Sequence, residues 1–104
     1  LALPTLALPR IEVTEINGFE VHFVDVGAGD RISVGLAVDY GSLDDQFNMM
    51  GRAHLLEHLL FTGTKRFPGY KTLDQMLQPA GATHNAHTSL HHTFYYLTLP
   101  QDQA

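Results

Sequence analysis

Apolar and polar positions alternate along much of residues 11–40. "IEVTEI" (11–16) and "FEVHFVDV" (19–26) each carry the period of a half-buried strand, and the "NG" between them is a strong hairpin turn signal. "GAGD" (27–30) predicts a second turn. "RISVGLAVDY" (31–40) predicts a third strand, with Val34, Leu36 and Val38 on one face. The chain is therefore expected to open as an antiparallel meander.

The period then changes. "GSLDDQFNMM" (41–50) is loop-like at first, and from about Met49 to Thr62 the spacing is helical, with Gly63 as a stop. "FPGY" (67–70) is a turn. "KTLDQMLQPAG" (71–81) predicts a short helix in which Leu73, Met76 and Leu77 share a face, Thr72 caps, and Pro79 with Gly81 ends the element. "ATHNAHTS" (82–89) and "HTFYYLTLP" (92–100) return to strand. The order β-β-β-α-α-β-β is an α+β layout, with helices packed on one face of an antiparallel β-sheet.

The first helix holds an anomaly. "GRAHLLEHLLFTGT" (51–64) places two histidines and a glutamate among leucines, which is costly unless something satisfies them. At about 100° per residue, Glu57 falls near −60° and His58 near +40° from His54. The three share one polar stripe, and Leu55, Leu56, Leu59 and Leu60 are expected to bury the rest of the helix. Two histidines one turn apart can both reach one zinc ion at about 2.0–2.1 Å. Glu57 is placed to take a proton from a zinc-activated water and pass it to a leaving amine. Both imidazoles must be neutral to bind, so activity is expected to fall at acid pH. The competing reading is two core histidines and a helix-surface glutamate. His-x-x-Glu-His, the inverted zinc-peptidase order, should arise by chance in such a chain on the order of one time in fifty, which favours the metal.

Composition narrows the classes. The 104 residues allow one domain at most, and an apolar fraction of 44% with 16% charged residues reads as a soluble globular protein. The formal net charge of −5, with no basic cluster, argues against nucleic acid as a partner. No apolar run approaches the roughly 20 residues of a membrane span. With no cysteine, disulfides and thiolate ligands drop out. Six of the seven histidines lie between positions 54 and 92, which reads either as a polar surface of unusual composition or, more sharply, as a metal site. "LALPTLALPR" (1–10) is expected to be an N-terminal extension resembling the mature edge past a secretory cleavage site, which gives a periplasmic or secreted location over a cytoplasmic or organellar one.

Several stretches together resemble the pitrilysin or insulinase family of zinc metallopeptidases. "GSLDD" (41–45) resembles the family's Gly-Ser-x-Asp/Glu stretch. "AHLLEHLLFTGTKRFP" (53–68) resembles its zinc helix and following turn, and "GATHNAHTSLHHTFYYLTLP" (81–100) its Gly-x-x-x-Asn-Ala-x-Thr strand and the next one. The resemblance covers most of residues 11–100. It implies that His54 and His58 are zinc ligands and Glu57 the general base of an endopeptidase. It further implies that Phe61 lines the pocket beside the scissile bond. Asn85 and Ala86 would then lie on an edge strand that pairs with an extended peptide substrate, as free strand edges can.

The departures are specific. His91 stands where the family usually has an acidic residue, and Ala80-Gly81 where it often has two glycines. His84, His87, His91 and His92 are outside the family's zinc set and are expected to be exposed strand and turn residues, with a secondary metal site as the lesser reading. The family's third zinc ligand is a glutamate roughly 70–80 residues past the second histidine, a spacing the resemblance implies, whereas no glutamate follows Glu57 here. Residues 11–104 are therefore expected to be the N-terminal portion of a single catalytic domain. That portion would be a piece or shortened form of a longer enzyme, and would work with the rest of the domain and a second homologous domain or subunit. Two other readings compete. S-ribosylhomocysteine lyase shares the His-x-x-Glu-His helix, but needs a cysteine ligand and lacks the Asn-Ala-x-Thr strand. A non-catalytic partner subunit or fragment would bind metal or peptide without turnover, although such partners tend to lose the three helix residues that are intact here.

Overall fold

The computed structural model describes residues 8–27 and 29–104. Most of the expected extension 1–10, and Ala28 of the expected 27–30 turn, lie outside the described residues. The chain divides after Asp30 into two compact units.

The first unit is a hairpin. Strands β1 (Arg10–Ile16) and β2 (Phe19–Asp25) pair antiparallel from Arg10↔Asp25 to Ile16↔Phe19. Asn17 (φ 52°) and Gly18 (φ 83°) make the two-residue turn with both φ values positive, as the sequence predicts. The half-buried face does not follow: every residue of β1 is exposed, because two strands have no second layer to bury a face against.

The second unit holds the remaining elements. Strand β3 (Arg31–Val38) does not continue a meander but pairs with β5 (Thr93–Pro100), whose other side takes β4 (Thr83–Thr88), giving a three-stranded antiparallel sheet in the order β3-β5-β4. Non-local pairing overrides the local hairpin signal here. The central strand β5 supplies the sheet's most buried positions, Thr93 and Leu99. Side-chain alternation puts His84, Ala86 and Thr88 on the same face as Thr93, Tyr95 and Leu97, and Asn85 and His87 on the other.

Helix α1 (Arg52–Leu60) is shorter than the expected 49–62. Phe47–Met49 forms a separate 3-10 turn, Met50 is extended, and Gly51 at φ 92° supplies the left-handed step from which α1 starts. Helix α2 (Thr72–Leu77) is also shorter than the expected 71–81. Thr72 does not cap it: its hydroxyl donates to the Pro68 carbonyl at 2.8 Å, and Lys71 precedes the helix at φ 69°.

The leucines of α1 are not buried. Leu55, Leu56, Leu59 and Leu60 are 59%, 55%, 50% and 41% exposed, whereas Glu57 is 7% exposed. The expected arrangement is inverted because α1 lies over β4 on the side that carries Ala53 and Glu57. Among the described residues nothing covers the leucines. Leu55, Leu56 and Leu59 border, with Tyr40, Arg52 and Ala53, an open apolar groove of about 410 Å³.

Candidate metal centre

Helix α1 is held at its start by a residue from well upstream. Gly51 offers no side-chain cap, and Asp45 takes that role: its carboxylate accepts the Gly51 N–H at 2.8 Å and the Ala53 N–H at 3.1 Å. The segment before Asp45 is tied to the β4–β5 turn by Ser42 N–H to the Ser89 carbonyl (2.9 Å) and Leu43 N–H to the Leu90 carbonyl (3.0 Å). Gly41 sits so close to that turn that a Cβ would overlap the Leu90 carbonyl. Burial, and then the neighbouring Asp45 carboxylate, raise the Tyr40 hydroxyl above tyrosine's ordinary value.

So placed, α1 projects His54 and His58 side by side. Their Nε2 atoms are 2.9 Å apart and their ring centroids 4.6 Å apart. With Glu57 they form the one group of three or more such side chains among the described residues, all ligand atoms lying within 4.8 Å of one another. Two nitrogens bound at about 2.0–2.1 Å to one tetrahedral ion stand roughly 3.3 Å apart. The observed pair needs only a few tenths of an ångström of opening, so the donor set fits a two-imidazole chelate. No second group of this kind occurs among the described residues, which leaves no cluster for the secondary metal site.

Glu57 is not a surface residue. It is buried between α1 and β4, where the Thr88 hydroxyl donates to its Oε2 at 2.5 Å. Tyr95 lies close enough that burial and then the Glu57 charge raise its hydroxyl above the ordinary value. Phe61, the residue closing α1, is half-buried, stacked on His84 and tilted against Tyr95 with ring centroids 6.3 Å apart. Ala86 shares the Glu57-facing side of β4. The Asn85 side chain points to the opposite side, and its Oδ1 accepts the Ala86 N–H at 2.8 Å.

His54, Glu57 and His58 thus come together, Phe61 and Ala86 lie on the same side, and Asn85 does not. Thr88, Asp45 and Tyr95 are further residues of the centre that the sequence reading did not assign. The first two stood inside the Asn-Ala-x-Thr and Gly-Ser-x-Asp stretches, which is the signal that could have found them. His84 corrects an expectation: it is half-buried and paired with Asp74 of α2, whose Oδ1 lies 2.6 Å from its Nε2.

Comparisons with known proteins identify the family. A family model described as Insulinase (Peptidase family M16) matches residues 25–104. Insulin-degrading enzyme of Bos taurus is 38% identical over 86 residues, covering 83% of this chain and 8% of that protein. The probable zinc protease PqqL of Escherichia coli K12 is 39% identical over 77 residues, covering 71% of this chain and 8% of that protein. Among solved structures, a protease from Helicobacter pylori superposes with a TM-score of 0.83 at 29% identity, covering 91% of this chain and 23% of that one. Pitrilysin superposes with a TM-score of 0.78 at 33% identity, covering 91% and 10%. The chain spans less than a tenth of the length of insulin-degrading enzyme. It is a member of the insulinase family, peptidase family M16.

Proposed function

We propose that this chain carries the zinc-binding helix and general base of a metalloendopeptidase. The observation that carries the reading is the convergence of His54 Nε2 and His58 Nε2 beside a buried Glu57 carboxylate. His54 and His58 would hold Zn2+, which supplies Lewis acidity and lowers the pKa of a bound water to about 7. Glu57 takes a proton from the attacking water and returns it to the leaving nitrogen. Thr88 occupies Oε2, so Oε1 is the oxygen that handles the proton. Phe61 packs against the substrate side chain beside the scissile bond. Strand β4 is an outer strand of its sheet and suits backbone pairing with an extended peptide, in which Asn85 and Ala86 take part. An entering strand competes with Asn85 Oδ1 for the Ala86 N–H.

A second reading is metal or peptide binding without turnover. It is favoured by one observation: among the described residues only two nitrogens and the general base converge, and catalytic zinc sites use three protein ligands. The two readings combine in one proposal. A complete site needs a third ligand from elsewhere, in keeping with a multidomain enzyme, and the 104-residue chain alone cleaves poorly. The test is a quenched-peptide assay with added zinc on this chain, on its natural full-length form, and on full-length Glu57→Gln. The full-length protein should cleave and the variant should keep zinc while losing about 10²–10⁴ in turnover. Unchanged turnover in the variant would remove the general-base role, and robust cleavage by this chain alone would remove the need for a third ligand.

A further inference from the structure

Outside the His54–Glu57–His58 group, one histidine is held in a way that a solvent-facing residue is not. His84 Nε2 lies 2.6 Å from Asp74 Oδ1, which ties β4 to α2. Its ring lies on the Phe61 ring with centroids 5.0 Å apart and planes 18° apart. Its Nδ1 is buried and has no hydrogen-bond partner among the described residues. The ring's pose is set by the carboxylate on one side and the phenyl face on the other.

The consequence falls on Phe61. This residue follows α1 directly, its N–H donates to the His58 carbonyl at 3.2 Å, and it is only half-buried. Tyr95 meets it at a tilt of 42°, so His84 is the near-parallel partner that fixes its plane. His84 also shares the face of β4 that bears Thr88, the residue holding Glu57.

We propose that His84, braced by Asp74, is a positioning residue for substrate selectivity: it sets the Phe61 ring plane and thereby the shape of the surface that meets the side chain beside the scissile bond. This rests on the reading of Glu57 and Phe61 given above. The ring partner comes from a strand and its brace from a separate helix. Selectivity can therefore change through Asp74 or His84 while the ligands and the base stay in place.

The test uses the natural full-length protein with His84→Ala, His84→Tyr and Asp74→Ala, loaded with zinc and given a peptide mixture from a proteome digest. Mass spectrometry reads the residues flanking each cut. In His84→Ala and Asp74→Ala the ratio of aromatic to small side chains beside the cut should change by roughly threefold to tenfold, with zinc content unchanged. His84→Tyr keeps a ring and a donor for Asp74, and should restore the ratio. A ratio unchanged in His84→Ala would overturn the proposal. So would an equal loss for both classes that Tyr does not rescue, since that marks a merely structural role. A second readout needs no turnover: the 19F resonance of a fluorophenylalanine at position 61 should move in both Ala variants and return in His84→Tyr. An unmoved resonance also overturns the proposal. Glu57→Gln separates the two ideas, because it should abolish cuts and leave that resonance in place. Cuts that persist in Glu57→Gln beside a His84-dependent resonance would count against the general base and not against His84.

Discussion

The Thr88 hydroxyl donates to Glu57 Oε2 at 2.5 Å, linking the strand proposed to receive peptide to the group proposed to move the proton. A buried carboxylate without a donor is costly, and hydrogen bonds to charged groups contribute about 1.5–3 kcal/mol. Thr88→Val keeps the shape and removes the donor. It should lower kcat of the full-length enzyme by about tenfold to a hundredfold with little change in KM, and Thr88→Ser should recover most of it. Steady-state kinetics on the three proteins checks this; a Val variant with wild-type kcat would remove Thr88 from the mechanism.

Asp45 supplies the cap that Gly51 lacks. Asp45→Ala leaves two amide donors of the first turn of α1 without that partner and should cost about 1–2 kcal/mol. Urea denaturation of the full-length protein reads the loss. Zinc affinity should fall with it, because the same turn carries His54.

Tyr95 gives a pH dependence. Its hydroxyl is raised by burial and then by the Glu57 charge, so the folded state favours the neutral phenol. The unfolded chain loses that proton first. The contribution is complete below tyrosine's ordinary value and disappears as pH rises through the folded value. Stability should decline above about pH 10, and Tyr95→Phe should decline less. Urea midpoints between about pH 9 and 11 compare the two, and parallel curves would show that Tyr95 is not a source of the decline.

The sequence showed the chemistry more clearly than the packing. Helical spacing alone brought His54, Glu57 and His58 to one stripe, because that relation is local and set by 3.6 residues per turn. The Asn17-Gly18 turn was legible for the same reason, as were the element order and the α+β class. Non-local relations were not. The pairing of β3 with β5 depends on contacts more than fifty residues apart, and alternation in "RISVGLAVDY" says nothing about the partner. The leucines of α1 misled, because an apolar residue indicates a surface to be covered and not whether this stretch of chain covers it. Glu57 was placed on the right stripe but not in the interior, since its burial depends on Thr88 and β4. His84 was grouped with the exposed histidines because its partners, Asp74 and Phe61, are ten and twenty-three residues away.

The decisive measurement is a calorimetric titration of zinc into the metal-stripped, natural full-length protein beside its His58→Ala variant. One site per chain is expected in the native protein, weakened in the variant by at least about a hundredfold, since one of two converging imidazole nitrogens is gone. Equal affinity in the two proteins would mean that the ion, if bound at all, is held somewhere other than α1.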